Sequence, residues 1–305
     1  MWLILAFLSA AFLGIYDSLK KKALKNNAVI PILFLNTLFS SLIFLPFIVL
    51  SASTNVLDGT IFHVGSGGWE VHKYIVLKAL IVLSSWVLGY FGMKHLPLTI
   101  VGPINATRPV MVLVGALLFF GERLNMWQWI GVSLAVLSFL LLSRSGKKEG
   151  IDFKHDRWIY MIVGAAMLGA VSGLYDKYLM APVENGGVGL DRMMVQSWYN
   201  IYQCVMMGVM LWLLWWPKHE QTTPFHWSWA ILGVSVFLST ADFMYFYSLS
   251  LPDAMISIVS MIRRGSVIVS FMFGAMFFHE KNLRAKALDL ALVLLGMLFL
   301  YVGSN

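Results

Sequence analysis

Long apolar runs alternate with short polar segments along the chain, and this pattern predicts the architecture. A membrane-spanning helix needs about 20 mostly apolar residues. Ten runs of roughly this length follow one another, with connections too short for a soluble domain. They predict transmembrane helices at residues 2–19, 29–51, 74–94, 98–120, 125–143, 158–180, 193–216, 226–250, 253–278 and 284–302.

Tryptophan residues support these boundaries because their rings prefer the headgroup level of a membrane. Trp127 and Trp129 begin the fifth run, and Trp215 and Trp216 end the seventh. Trp86 instead lies well inside the third run. An aromatic side chain at that depth is a candidate for an internal cavity wall, although aromatic core packing is more common.

The composition agrees with a membrane protein. The 305 residues are 59% hydrophobic and 12% charged, with a mean hydropathy of +0.77. Soluble domains carry about 25% charged residues, and half that leaves too little polar surface to cover a water-exposed body. Disorder requires low hydrophobicity and is excluded. We therefore expect an all-α, multi-pass integral protein of the cell (inner or plasma) membrane.

The net charge of +7 is interpreted as an orientation signal rather than a nucleic-acid-binding surface. Connections after odd-numbered predicted helices carry 14 lysines and arginines, and those after even-numbered helices carry 4. The positive-inside rule then places the odd connections in the cytoplasm and both termini outside the cytoplasm.

Metal, redox and ATP-dependent chemistry are not indicated. The single cysteine, Cys204, excludes an internal disulfide and a multi-cysteine metal site. The seven histidines fall in loops or at helix ends, without metal-ligand spacing. Neither an ATP-binding loop nor a nucleophile with a neighbouring base is found. We therefore expect no cofactor and no enzymatic activity.

The two halves of the chain resemble each other. Residues 10–17 read AAFLGIYD and residues 169–176 read GAVSGLYD, while Asn36 aligns with Asn200. Phe-Phe-x-Glu occurs at 119–122 and again at 277–280. Because each unit has five helices, an odd number, the second unit enters the membrane from the opposite side. The alternative is chance similarity between apolar segments.

We therefore predict two inverted five-helix repeats, with a binding site near the membrane midplane between them. The repeats span residues 1–146 and 158–305, and a charged loop at 147–157 connects them.

Residues 100–142, IVGPINATRPVMVLVGALLFFGERLNMWQWIGVSLAVLSFLLL, resemble the closing two helices of an EamA domain of the drug/metabolite transporter superfamily. The matching features are Pro109, Gly121-Glu122-Arg123, Gln128 and Gly131. The second copy, residues 256–301, keeps Glu280 but has His279, Lys286 and Asp289 where the first has Gly121, Gln128 and Gly131. The resemblance implies a ten-helix carrier that moves small metabolites by alternating access, without selecting a substrate. Members of the family are usually drawn with both termini in the cytoplasm, which conflicts with the charge count.

Few ionisable residues lie within the predicted helices, and such residues usually face a cavity or a partner. Arg108 lies near the middle of the fourth span, and Arg263 and Arg264 lie about as deep in the ninth. Guanidinium groups there would bind an anionic substrate group by bidentate hydrogen bonds. The alternative is that they pair permanently with acids and only fix helix packing.

Three aspartates are candidates for binding a coupling proton. Asp242 lies deep in the eighth span, and Asp17 and Asp176 lie towards the ends of the first and sixth. Three acids against three arginines predict a nearly neutral interior. For Asp17 and Asp176 the alternative is pairing with neighbouring lysines, Lys20 to Lys22 and Lys177.

Amides and aromatic side chains complete the predicted substrate site. Each amide either bridges helices or lines a wet cavity, and three on one face of the seventh helix, Gln196, Asn200 and Gln203, favour the cavity slightly. The predicted substrate-binding residues are Arg108, Arg263, Arg264, Asn36, Asn105, Asn200, Gln203, Trp86, Tyr90 and Tyr245.

These observations favour a secondary active transporter for a small anionic or zwitterionic metabolite, driven by a proton gradient or by exchange. Alternatives are a flippase for a phosphate-bearing lipid carrier, an exporter of cationic or drug-like compounds, and a non-transporting scaffold. Expected partners are the small-molecule substrate and the lipid bilayer, with no nucleic acid and with a homodimer left open.

Overall fold

Helices make up all of the regular structure in the part of the chain that the structure describes. The structure is a computed structural model. It describes residues 2–108, 110–111, 125–147, 153–180, 182–251, 259, 262–277 and 283–304. The prediction of an all-α protein is confirmed for these residues.

The α-helices are numbered in chain order. They are α1 Trp2–Leu24, α2 Val29–Ser53, α3 Trp69–His95, α4 Leu98–Ala106, α5 Met126–Lys147, α6 Arg157–Met180, α7 Arg192–Met210, α8 Trp229–Ser250, α9 Ser266–Phe277 and α10 Leu283–Ser304. A π-helical turn, Leu211–Trp215, and a 3-10 helix, Trp216–Gln221, continue α7. The predicted seventh span, 193–216, is therefore α-helical only as far as Met210.

Five of the described helices are long and apolar enough to cross a membrane: α1, α2, α3, α6 and Trp229–Ser248 of α8. Large apolar side chains on α1 and α3, such as Ile4, Phe7 and Leu80, point away from the protein interior. In water such surface would be unfavourable, whereas lipid chains accommodate it. The chain is thus a multi-pass membrane protein.

Helices from the two halves of the chain pack against each other in antiparallel pairs. In the α1–α8 pair, Ser9 Oγ donates to the Ala241 carbonyl at 2.7 Å and Ser248 Oγ donates to the Trp2 carbonyl at 2.9 Å. In the α3–α6 pair, Ser85 Oγ donates to the Ala165 carbonyl at 2.8 Å. Hydroxyl-to-carbonyl bonds of this kind join helices inside the apolar part of a membrane.

Two further antiparallel pairs join the halves. Ser41 on α2 donates to the Asn200 carbonyl on α7 at 2.8 Å. On α5, Ser138 donates to the Asp289 carbonyl on α10 at 2.7 Å, and Trp127 stacks on Phe299 near the other end of the same pair. Helix α4 packs against α9. The interior is therefore built largely from contacts between the halves.

Helix α4 ends at a break in the predicted fourth span. The helix stops at Ala106, and the Thr107 amide donates to the Ile104 carbonyl at 3.2 Å, an i to i−3 bond. Helical geometry resumes at Arg108. Prolines at 103 and 109 remove two amide donors from this segment, which weakens a continuous helix. The prediction of an uninterrupted helix over 98–120 is wrong at Thr107.

The predicted ninth span, 253–278, is interrupted in the same way. Residues 262–264 are helical, Gly265 forms a turn, and α9 begins at Ser266. The Gly265 amide donates to the Ile262 carbonyl at 2.9 Å, again an i to i−3 bond. Both breaks therefore lie beside the arginines that the sequence singled out.

Helices α1 and α3 both extend beyond their predicted bounds, and both extensions contain lysines. Helix α1 continues to Leu24 instead of ending near residue 19, and α3 begins at Trp69 instead of residue 74. Several segments singled out in the sequence lie outside the described residues, namely Pro109, residues 119–122 and 278–280 of the repeated Phe-Phe-x-Glu segments, Arg123, and residues 148–152 of the connecting loop.

Candidate functional site

A polar cavity of about 160 Å³ lies between the two halves of the chain. Its walls come from α1, α3, α4, α6, α7, α8, α9 and the segments at the two helix breaks. Most of the residues predicted from sequence line it, namely Arg108, Arg263, Arg264, Asn105, Trp86, Tyr90, Tyr245, Asp17, Asp176 and Asp242. The fold thus brings together polar side chains that are far apart in sequence.

An ion pair between Lys78 on α3 and Asp176 on α6 crosses the interface between the halves. Both side chains are buried. In the charge count, Lys78 was one of the four residues assigned to connections after even-numbered helices, whereas the structure places it within α3 with its side chain in the interior. The sequence could have indicated this position, because Lys78 lies four residues inside the predicted third span.

A second ion pair lies within α1. Lys20 Nζ donates to Asp17 at 2.8 Å and lies 4.3 Å from the centre of the Tyr16 ring. The pair forms because α1 continues past residue 19, which places Lys20 one turn after Asp17 on the cavity side. The neighbouring Lys21 instead donates to the carbonyl oxygens of Met93 and Leu96, at the end of α3.

Arg263 and Asp242 form the third ion pair. Asp242 also accepts a hydrogen bond from the Tyr199 hydroxyl at 2.9 Å, and the Arg263 guanidinium lies 4.2 Å from the centre of the Tyr245 ring. A charged pair with added hydrogen-bond and cation–π partners is a rigid arrangement. In this structure Arg263 is therefore paired with an acid, as the alternative to substrate binding supposed.

Arg108 and Arg264 line the same cavity without a carboxylate partner. Among the described residues, neither has an acidic oxygen within 4.0 Å. An Arg108 Nη atom donates to Asn105 Oδ1 at 3.1 Å, and its Nε has no hydrogen-bond partner. The guanidinium lies against Gly169 on α6, where an added Cβ would be 2.7 Å from Cζ. Gly169 therefore gives Arg108 the space it occupies.

The cavity carries an excess of positive charge. Among the described residues, five cationic side chains line it, Lys20, Lys78, Arg108, Arg263 and Arg264, against three carboxylates, Asp17, Asp176 and Asp242. The formal excess is therefore two positive charges. Three arginines against three aspartates had predicted a nearly neutral interior. That expectation is wrong for the described residues because Lys20 and Lys78 also line the cavity.

The predicted amides Asn36, Asn200 and Gln203 lie at the α2–α7 interface, apart from the residues that line the cavity. Asn200 donates to the Gln196 carbonyl at 2.8 Å, and Gln196 donates to the Ser239 carbonyl at 3.3 Å. The amide groups of Asn36 and Gln203 have no hydrogen-bond partner among the described residues. The polar face of α7 is covered by α2 and α8, which periodicity could not reveal.

Metal binding receives no support from the described part of the chain, which contains no group of three or more histidine, cysteine or acidic residues suited to a metal ion. The cavity can instead bind by charge and hydrogen bonding. Arginine guanidinium groups, a tyrosine pair at Tyr16 and Tyr90, and the Asn105 amide provide this chemistry.

Relatives that share part of this sequence are named as a transporter or as a flippase subunit. One relative, from Sinorhizobium sp, is named an uncharacterized transporter in the cobO 3' region, and it is 31% identical over 70 residues, 23% of this chain and 50% of its own. Another, from Aeromonas salmonicida (strain A449), is named "Probable 4-amino-4-deoxy-L-arabinose-phosphoundecaprenol flippase subunit ArnE". It is 28% identical over 69 residues, 23% of this chain and 60% of its own. The chain thus covers only about half to three fifths of these relatives.

A solved crystal structure has the same fold. It covers 99% of this chain and 96% of its own chain, with a TM-score of 0.63 at 11% sequence identity. Residues 1–144 match the model of the EamA-like transporter family. This match agrees with the resemblance seen at residues 100–142: residues 1–144 of the chain are similar to the EamA-like transporter family.

Proposed function

We propose that the protein is a secondary active transporter that moves a small anionic or zwitterionic metabolite through the cavity by alternating access. The observation that carries this proposal is the formal excess of two positive charges in a cavity lined by both halves of the chain. Charges at this depth are costly in a membrane and mark transport pathways more often than packing contacts. The sign of the excess disfavours the export of cationic compounds.

The proposed architecture is ten transmembrane helices in two inverted repeats. In such a repeat, α1 corresponds to α6 and α3 corresponds to α8. The α1–α8 pair therefore corresponds to the α6–α3 pair, and both pairs pack extensively. Three further pairs each join a helix to its own counterpart in the other repeat, namely α2–α7, α4–α9 and α5–α10. Antiparallel packing of α2 against its counterpart α7 supports opposite directions for the two units, as an inverted repeat requires.

The two helix breaks also support the repeat. When Phe119 is aligned with Phe277, Thr107 aligns with Gly265. Discontinuous helices at equivalent positions near the membrane midplane form the substrate sites of several transporter folds. Alternating access then requires the two halves to rock about the cavity, and the Lys78–Asp176 pair lies between the parts that move.

For coupling we propose proton binding or exchange. Asp17, Asp176 and Asp242 line the cavity and each faces a cation there, so a change of protonation alters the same charge balance that the substrate alters. For orientation we propose cytoplasmic odd-numbered connections in a cell membrane, from the 14 to 4 bias of lysine and arginine.

A flippase for a phosphate-bearing lipid carrier is the second candidate. It is favoured by the relative named as a flippase subunit, and the same arginines suit a phosphate headgroup. The two candidates differ in substrate access, because a lipid must enter the cavity sideways from the membrane.

The experiment that tests transport is uptake into proteoliposomes made with the purified full chain. A panel of labelled metabolites is compared in wild type and in Arg108→Gln, with Arg284→Gln, an exposed arginine on α10, as the matched control. We expect uptake of an anionic or zwitterionic compound that Arg108→Gln abolishes and the control retains. Uptake confined to cationic compounds, or unchanged in Arg108→Gln, contradicts the proposal.

A further inference from the structure

We propose that Arg108 and Arg264 together bind one dianionic phosphate group of the transported compound. This inference rests on the proposed function and narrows its substrate class. It also separates two adjacent arginines that the sequence could not distinguish. Arg264 is assigned to binding and Arg263 to positioning.

The assignment begins with the partners of the five cations that line the cavity. Lys20, Lys78 and Arg263 each have a carboxylate of the protein as partner. Arg108 and Arg264 have none among the described residues. The formal excess of two charges in the cavity is therefore carried by these two side chains.

Arg263 differs from Arg108 and Arg264 because its charge is already paired with a carboxylate of the protein. It pairs with Asp242 and lies 4.2 Å from the centre of the Tyr245 ring. Asp242 is fixed in turn by the Tyr199 hydroxyl at 2.9 Å. Breaking such a buried pair leaves an uncompensated charge, so Arg263 stays with Asp242 and helps to place the next residue, Arg264.

Arg108 and Arg264 repel each other across the cavity. Two like charges, buried together without a carboxylate in contact with either, are unfavourable, and a bound anion reduces the repulsion and pairs both charges. A singly charged ligand leaves one positive charge uncompensated. A dianion leaves the cavity formally neutral.

Geometry favours a single phosphate group as the source of both charges. One Nη of Arg108 donates to Asn105, which orients the guanidinium group. The Nε–H of Arg108 has no hydrogen-bond partner, so the group keeps donors for a ligand. Guanidinium forks bind phosphate oxygens in bidentate fashion. Arg108 follows the break at Thr107 and Arg264 precedes the break at Gly265, so the two halves contribute one arginine each.

A phosphate monoester is the matching chemistry, whether it belongs to a water-soluble metabolite or to a lipid headgroup. Such a group carries close to two charges above a pKa of about 6 and one charge below it. A sulfate monoester has nearly the same shape but only one charge at all of these pH values. A comparison of the phosphate ester with the sulfate ester therefore isolates the effect of the second negative charge.

The binding experiment measures thermal unfolding of the purified full chain in detergent with methyl phosphate or methyl sulfate. Near pH 8 we expect methyl phosphate to bind about 30-fold more tightly than methyl sulfate, and the difference to disappear near pH 5. Succinate, which carries its two charges on separate groups, should bind more weakly than methyl phosphate. Equal binding of the two esters, or tighter binding of succinate, overturns the proposal.

The variants Arg108→Gln and Arg264→Gln test the two residues. Each should remove the preference for phosphate over sulfate. Each should also raise the unfolding temperature of the ligand-free protein by about 2 °C or more, because the repulsion between the arginines is relieved. Arg284→Gln, an exposed arginine on α10, should change neither quantity. A purely structural role predicts a lower unfolding temperature with the preference retained, and that result overturns the proposal.

Transport measurements separate this inference from the proposed function. Proteoliposomes are tested for uptake of labelled glycerol phosphate and for transbilayer movement of labelled phosphatidic acid. Activity in the first supports a soluble substrate and activity in the second a lipid substrate, and either supports the phosphate assignment. Uptake of a monocarboxylate or amino acid alone, dependent on Arg108, leaves the transporter intact and overturns the phosphate assignment. The absence of any anion transport contradicts both.

Discussion

Lys78 on α3 and Asp176 on α6 form a buried ion pair that joins the first half of the chain to the second at the edge of the polar cavity. The Lys78 ammonium group also lies 5.1 Å from the centre of the Tyr199 ring on α7. The pair is thus a buried polar contact between the two halves of the chain.

Removing either partner of this pair should destabilise the protein, and removing both should not. We expect Lys78→Met or Asp176→Asn to lower the free energy of unfolding by about 3–5 kcal/mol, because each leaves an uncompensated buried charge. The double variant should recover most of this loss. Thermal or denaturant unfolding in detergent gives the coupling energy, and additive losses in the double variant would contradict a direct pair.

Gly169→Ala should weaken substrate binding without weakening the fold. The new Cβ would lie 2.7 Å from Arg108 Cζ, and the flexible end of the arginine can move away at small cost. We expect about tenfold weaker binding of the transported anion, equal to about 1.4 kcal/mol. Gly208→Ala is the control, because Gly208 does not line the cavity and its added Cβ would lie 3.6 Å from Phe34, an ordinary contact. An equal effect of both variants on binding would show that Arg108 is not the cause.

Gly14→Ala should destabilise the protein because its added Cβ meets another helix. That atom would lie 2.4 Å from Val269 Cβ and 2.8 Å from the Ser266 carbonyl oxygen on α9. Overpacking of this kind costs about 1–3 kcal/mol. In Gly89→Ala the nearest atom is 3.6 Å away, an ordinary contact, and alanine adds helix propensity. Unfolding temperatures should fall for the first and hold or rise for the second.

Gln203→Met should leave transport intact. The Gln203 amide is fully buried at the α2–α7 interface, has no hydrogen-bond partner among the described residues and does not line the cavity. Replacing an unsatisfied buried amide with an apolar group of similar size is neutral or stabilising. Uptake and unfolding temperature are measured beside Arg108→Gln. A loss of transport with normal folding would restore Gln203 to the predicted substrate site.

Both termini should lie outside the cytoplasm. A reporter active only in the cytoplasm and fused after Asn305 should therefore be inactive, and the same reporter in the loop at 147–157 should be active. The basis is the excess of lysine and arginine in the odd-numbered connections. The opposite pattern would favour the orientation usually drawn for the resembled family.

The sequence by itself determined the class of protein, the helical segments and most of the charged cavity residues. Apolar runs must be helical in a membrane because every backbone polar group needs an internal partner. Arg108, Arg263, Arg264 and Asp242 were recognisable because charge is rare in such runs. Their approximate depth followed from their positions along each run.

Only the tertiary structure decided which charges meet. Whether Lys78 reaches Asp176, and whether Arg263 or Arg264 pairs with Asp242, depends on helix ends and on contacts between distant segments, which local hydropathy does not encode. The breaks at Thr107 and Gly265 likewise determine where the arginines point. The amides Asn36, Asn200 and Gln203 lie on faces covered by neighbouring helices, because a polar face in a membrane protein can meet another helix as well as a cavity.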